Sequence, residues 1–251
     1  MTEAFLLANH VRTAPEFGPV EQTITTYEQA RTPYMKQFIN DDARVMFFTK
    51  IIDTLFSYQL NRVLSNGLIT TPNNFVLELL THTGLGALVQ NWNSFSNIHS
   101  QFCTFGCFTN LFNSVESFLR ILYRELGYDN GSKKFISFSV IYKKFISDYN
   151  FDKKYEDIFK LLNLIRNCMH NFGVCNVDDE VEYNGVKYTF EKGKFPSAKV
   201  VDLVFLLNIF QVDILTFINQ LLAVPEISAI NLIKDDLSTD YKKQEDWQNN
   251  S

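Results

Sequence analysis

Apolar residues recur at intervals of three and four along much of this chain, and the places where that rhythm fails divide it. Between residues 102 and 126, Phe105, Phe108, Phe112, Val115, Leu119, Leu122 and Leu126 form one continuous stripe. This is the signature of a helix with a buried face. A second stripe holds Thr109, Asn113, Glu116, Arg120 and Arg124, with Glu116 and Arg120 spaced as a helical ion pair. The run "GYDNGSKK" breaks this helix, and residues 135–149 predict a shorter one. Tyr155, Ile158, Leu162, Ile165 and Met169 predict a third, over about 153–171, with Gly173 as its stop.

Elsewhere the pattern is weaker. Residues 1–20, with Pro15 and Pro19, read as an irregular arm. From about 23 to 65 the spacing is helical, and Asn66-Gly67 is a stop signal. A helix over 74–91 is weakened by Gly84 and Gly86. The polar stretch "WNSFSNIHS" at 92–100 reads as a connector and a soft subdomain boundary. Val181, Tyr183, Val186, Tyr188 and Phe190 alternate with polar residues around Asn184-Gly185, the strongest short hairpin signal. A helix over 200–222 follows, then a polar tail. The expected fold is mainly α: a helical N-terminal extension over 1–100, a helical bundle over 101–230 with a small β-hairpin at 181–190, and a polar C-terminal tail over 231–251.

Composition sharpens this. The 251 residues are 46% hydrophobic and include 24 Phe, enough for a large aromatic core, while Gly (10) and Pro (6) are scarce, as long elements require. A net charge of −5 argues against broad, non-specific nucleic-acid binding but leaves room for a local basic patch. Cys103, Cys107, Cys168 and Cys175 form no paired zinc spacing and read as buried free thiols of a reducing cytoplasm. The N-terminal run is a poor signal peptide. Residues 200–224 are long enough to span a bilayer, but Asp202, Asn208, Gln211, Asp213, Asn219 and Gln220 punctuate them. They are expected to form a buried or dimer-facing helix in a soluble, cytoplasmic protein without membrane partners.

The candidate chemistry lies in "LLNLIRNCMHNFGV", residues 161–174. Asn163, Arg166, Asn167 and His170 stand at i, i+3, i+4 and i+7, a polar line beside the apolar stripe. A guanidinium can grip a phosphate through charge-assisted hydrogen bonds, and an imidazole transfers protons near neutral pH. Together they suit metal-free RNA cleavage, in which the 2′-OH attacks the adjacent phosphorus. Asn167 could orient phosphate or histidine; Asn171 could support the histidine or cap the helix. An Arg and a His at a helix C-terminus also complement the macrodipole and the last carbonyls, so spacing alone leaves capping and chemistry both open.

This segment resembles the signature helix of HEPN-like domains, in which an arginine followed by a polar residue precedes a histidine. "FTNLFNSVESFLRILYREL" (108–126) is similar to the family's earlier helix, with Glu116 where a polar or acidic residue often stands. "IYKKFISDYNF" (141–151) resembles the short helix between them. The hairpin and late apolar helix resemble a follow-on seen in some bacterial members. The likeness covers about residues 100–222. Three residues, Asn167, Cys168 and Met169, separate Arg166 from His170, a shortened form of the family spacing. The resemblance implies a dimerising bundle whose paired motifs face each other across a composite cleft. It also implies a metal-independent ribonuclease of defence or toxin–antitoxin systems. Arg166 and His170 would be catalytic; Asn167, Asn171, Asn163, Glu116 and Arg120 would contact RNA or nucleotide. An antitoxin or defence-complex partner is a further expectation, and so is an inactive interaction or nucleotide-sensing module.

No H-E-x-x-H, paired C-x2-C, Walker loop or G-x-S-x-G is present, so no metal or cofactor is expected. His82 reads as structural, His99 as a solvated loop residue, and His10 lies in the arm. Lys133, Lys134, Lys143, Lys144, Lys153 and Lys154, partly offset by Asp148, Asp152, Glu156 and Asp157, could line the approach to Arg166 and His170.

Overall fold

A computed structural model of the protein describes residues 17–70, 82, 92–129, 136–171 and 173–235, with backbone alone at 64–70 and 92–97. The arm at 1–16, nearly all of the helix expected at 74–91, Lys133, Lys134 and the tail beyond 235 lie outside the described residues. Among those described, the order is α1 (Phe17–Gln37), α2 (Ala43–Thr70), α3 (Trp92–Glu125), α4 (Phe138–Asp148), α5 (Lys154–His170), β1 (Asp179–Tyr183) and β2 (Val186–Phe190). A 3-10 turn at Ala198–Val201, α6 (Leu203–Asn208), a π-helical turn (Ile209–Ile214), α7 (Leu215–Leu222) and α8 (Pro225–Ser228) complete it. The protein is mainly α with one small antiparallel hairpin.

Three boundaries differ from the sequence pattern. The single helical region expected from 23 to 65 is two helices, and α1 already begins at Phe17. The break falls at Asp42, whose carboxylate accepts from the Arg44 amide at 2.9 Å and caps the first turn of α2. Asn66-Gly67 does not stop α2, which continues to Thr70. Residues 92–100 are not a connector: they are the first turns of α3, which runs unbroken through position 100. The polar residues of these turns carry no apolar stripe, so periodicity misses them.

The core is aromatic and continuous. Phe17, Val20, Ile24 and Tyr27 of α1 are buried at spacings of three and four. Val20, Ile24 and Tyr27 pack with Phe47, Phe48, Ile51 and Leu55 of α2, and α3 lies against α2 with Phe108, Phe112, Val115, Leu119 and Leu122 inside. Phe47 stacks on Phe118 with ring centres 4.9 Å apart. Edge-to-face contacts then run from Phe112 to Phe138 (5.4 Å), from Phe138 to Phe159 (5.8 Å) and from Phe159 to Phe217 (4.9 Å). These rings link α3, α4, α5 and α7, and the N-terminal helices share the same cluster.

The hairpin pairs Asp179 with Phe190 through Tyr183 with Val186. Asn184 and Gly185 both have positive φ, 51° and 73°, as a type I′ turn requires. Val181, Tyr183, Tyr188 and Phe190 point inward while Val186 is exposed. Such a hairpin needs external support. Tyr183 donates to the buried Asp213 carboxylate at 2.8 Å, and Lys160 of α5 binds both the Asp179 carboxylate and the Glu180 carbonyl at 2.8 Å.

Leu203–Leu222 is, among the described residues, the one helical segment long and apolar enough to cross a membrane. Its Leu206, Ile209, Phe210, Ile214, Phe217, Ile218 and Leu221 are spent in the core. Asp202 caps its start by accepting from the Phe205 amide at 3.0 Å.

Residues 231–235 are docked rather than a solvated tail. Ala43 donates to the Ile233 carbonyl at 2.8 Å, and the Ile233 amide donates to Asp42 at 3.1 Å. Beneath this strap lies a buried ion pair, Asp42–Arg44, with Arg44 also donating to the carbonyls of Ile227 (3.3 Å) and Ile230 (2.9 Å). The Phe38 ring lies 3.4 Å from the guanidinium carbon. Removing one member leaves an uncompensated buried charge. Arg44→Ala should therefore lower unfolding free energy by about 3–5 kcal/mol in urea titrations. Lys187→Ala, which breaks an exposed pair with Glu180, should stay within about 1 kcal/mol.

Candidate functional site at the C-terminal end of α5

The inner face of α5 is complete: Tyr155, Ile158, Phe159, Leu161, Leu162, Leu164, Ile165 and Cys168 are buried. The polar line rides on its flank. Asn163, Arg166 and Asn167 are half-buried and His170 is exposed. Arg166 Nη1 donates to Asn167 Oδ1 at 3.2 Å, while its Nε is buried without a partner. The side chains of Asn163 and His170 have no hydrogen-bond partner among the described residues.

The end of the helix is fixed by backbone geometry. Asn171 is the C-cap, and its side-chain Nδ2 donates to the Val174 carbonyl at 3.0 Å. Of the two roles open to it, the structure gives it the cap. The Gly173 amide reaches back to the Cys168 carbonyl at 2.8 Å, with φ at +84°. Cys175 then exchanges two backbone hydrogen bonds with the 191–195 loop, its amide to Lys194 and its carbonyl from Gly193, both 2.8 Å. That loop sets Phe195 directly against Gly173: a Cβ there would lie 2.9 Å from the ring.

The other sequence candidates stand elsewhere. Glu116 and Arg120 are on α3. Arg120 binds the Glu116 carboxylate through Nε at 2.9 Å and Nη2 at 2.5 Å, and its Nη1 donates to the Ile136 carbonyl at 2.6 Å. This ties α3 to the start of α4. Of the lysines expected near His170, Lys133 and Lys134 lie outside the described residues, and Lys144 and Lys154 are engaged elsewhere. Lys144 pairs with Asp148 and lies over the Tyr128 ring. Lys154 lies 3.7 Å from Asp213. It opens α5, roughly 24 Å along the helix axis from His170. His99 is helical, not in a loop, with a ring nitrogen 3.6 Å from the Cys103 sulfur.

A cavity of about 330 Å³ lies between α2 and α3, with Asp53, Ser57, Asn61, Cys103 and Asn110 on its walls. No residue of the polar line borders it, and sequence spacing gave no sign of it, because its walls come from two helices distant in the chain. Among the described residues no cluster of three His, Cys, Asp or Glu side chains could hold a metal.

Cys168, inside the motif, is buried and donates to the buried Cys175 sulfur. Burial, with that neighbouring thiol, pushes the Cys168 pKa up to about 12, and burial does the same to Cys107. The folded state thus favours the neutral thiols. Their contribution to stability is complete below pH 9, the ordinary thiol value, and is lost as pH rises toward about 12. Thermal midpoints measured across that window should fall with pH, and a thiol-alkylating reagent at about pH 8 should label Cys168 only on unfolding. Gly173→Ala should cost about 1–2 kcal/mol for the left-handed backbone alone, read in urea titrations, and should displace Phe195.

No family model, curated protein or solved structure matches this chain.

Proposed function

We propose that this protein is a metal-independent endoribonuclease of the HEPN-like kind, acting in a defence or toxin–antitoxin system, with Arg166 and His170 as its catalytic pair. The observation that carries this reading is the division of labour on α5. The core face is filled without the polar line, and the histidine at its end is solvent-accessible and uncommitted. A histidine serving only packing would be inside. One serving only as a cap would bond a carbonyl.

In the proposed reaction His170 accepts the proton of a ribose 2′-OH. The 2′-oxygen forms a bond to phosphorus and the bond from phosphorus to the 5′-oxygen breaks. The departing oxygen takes a proton from the His170 of a second copy in a composite cleft. The products are a 2′,3′-cyclic phosphate and a 5′-hydroxyl. Arg166 neutralises charge growing on the phosphoryl oxygens, and Asn167, already bonded to it, sets its orientation. Asn163 lies one turn back, where the next phosphate would pass.

A second reading is an inactive interaction or nucleotide-sensing module of a larger defence complex. The net charge of −5 and the shortened spacing between Arg166 and His170 favour it. Cleavage of RNA in chelator separates the two. His170→Ala and Arg166→Ala should each lower cleavage at least about a hundred-fold with unchanged circular dichroism, because neither side chain is in the core. Cleavage that survives both changes, or that needs magnesium, overturns the ribonuclease. Intact RNA together with nucleotide binding selects the sensor.

A further inference from the structure

Phe195 is 74% exposed, the joint largest exposure among the big apolar side chains described. It is nonetheless a held residue. Its Cδ1 and Cε1 edge leans on Gly173, where an added Cβ would meet those atoms at 3.2 and 2.9 Å. Behind it, Lys194 and Gly193 are tied to Cys175 by two backbone hydrogen bonds of 2.8 Å, and the Lys192 amide donates to Asp178 at 2.8 Å. Ahead, Pro196 keeps Phe195 extended, and Ser197 caps the 3-10 turn. A loop fastened on both sides therefore presents an aromatic ring to water. Since consecutive Cα atoms are about 3.8 Å apart, its glycine support lies within about 11 Å of His170.

We propose that Phe195 is a stacking platform for an unpaired base of the RNA held by Arg166 and His170; this rests on the ribonuclease reading above. Every base has an apolar face, so a rigid, open ring binds single strands with little sequence preference. Lys192, Lys194 and Lys199 lie within four residues of Phe195 in the chain, although Glu191 occupies Lys194. Of the nearby acids, Asp178 is occupied by the Lys192 amide and Asp179 is neutralised by Lys160 of α5. Two shape features support the assignment. Gly173 lets the ring seat against backbone, and the loop's hydrogen bonds come from Cys175, directly after the motif, so platform and catalytic pair move as one piece.

The test uses the His170→Ala protein, which keeps substrate intact, and a short unstructured RNA containing 2-aminopurine, whose fluorescence falls on stacking. With Phe195 present, binding should quench the probe. Phe195→Ala and Phe195→Leu should weaken binding roughly ten-fold and abolish quenching, and Phe195→Tyr and Phe195→Trp should restore both. In the active protein, Phe195→Ala should raise KM more than it lowers kcat. If Phe195→Leu binds and quenches like the parent while Arg166→Ala loses binding, the platform is overturned and the ribonuclease stands. If Phe195→Ala changes only self-association or capture of another protein, the ring is a protein contact and the platform is overturned. If the intact protein neither binds nor cleaves RNA, both readings fall.

Discussion

The buried pair of Asp42 and Arg44 sets conditions on the rest of the fold. Charges at 0% and 1% exposure are tolerable only if their polar atoms are met. Arg44 is met by Asp42, two carbonyls of the 227–230 segment and the face of Phe38. Asp42 in turn caps α2 and receives the Ile233 amide. One pair thus fixes the start of α2, the turn leaving α1 and the course of the last docked segment. Lys50, bound to the buried Asp235, extends that fastening by two helical turns. The helices nearest the N-terminus are thereby made part of the same core as the bundle.

That core gives α5 its stiffness. The helix is packed from inside by the aromatic chain through Phe159 and Tyr155, and braced from outside by the hairpin through Lys160. Its last turn is closed by Asn171, Gly173 and Cys175 rather than left to fray. Polar side chains mounted on such a support keep their relative positions. The π-helical turn at Ile209–Ile214 serves the same end, since Asp213 within it receives the hairpin's Tyr183.

How much of this was legible in the sequence depends on how local each cause is. The stripes of α3 and α5, the Asn184-Gly185 turn and the apolar run of α6 and α7 are set by neighbours within a few residues, and they read directly. The break at Asp42 did not, because that aspartate acts through Arg44 and through Ile233, far along the chain. The first turns of α3 carry mostly polar residues and no apolar stripe, and Asn66-Gly67 is a local stop of about 1 kcal/mol that α2 overrides. The polar line was readable as a line, since a helix of known phase places it. Phe195 was not, because its exposure and support follow from Gly173, in another element. Glu116 and Arg120 were readable as a pair but not as an anchor for Ile136.

The strap over Asp42 also bears on how the chain matures. The amide that answers Asp42 lies 191 residues further on, and the carbonyls that answer Arg44 lie more than 180 residues further on. While the chain emerges from a ribosome, α1 and α2 are made first, yet their central charge stays hydrated until Ile227–Ile233 arrives. Closing so long a loop is slow. The N-terminal helices therefore cannot complete their core during early synthesis. Full packing behind α5 waits on the Ile227–Ile233 segment, so the polar line acquires its rigid mounting only after that segment has been made.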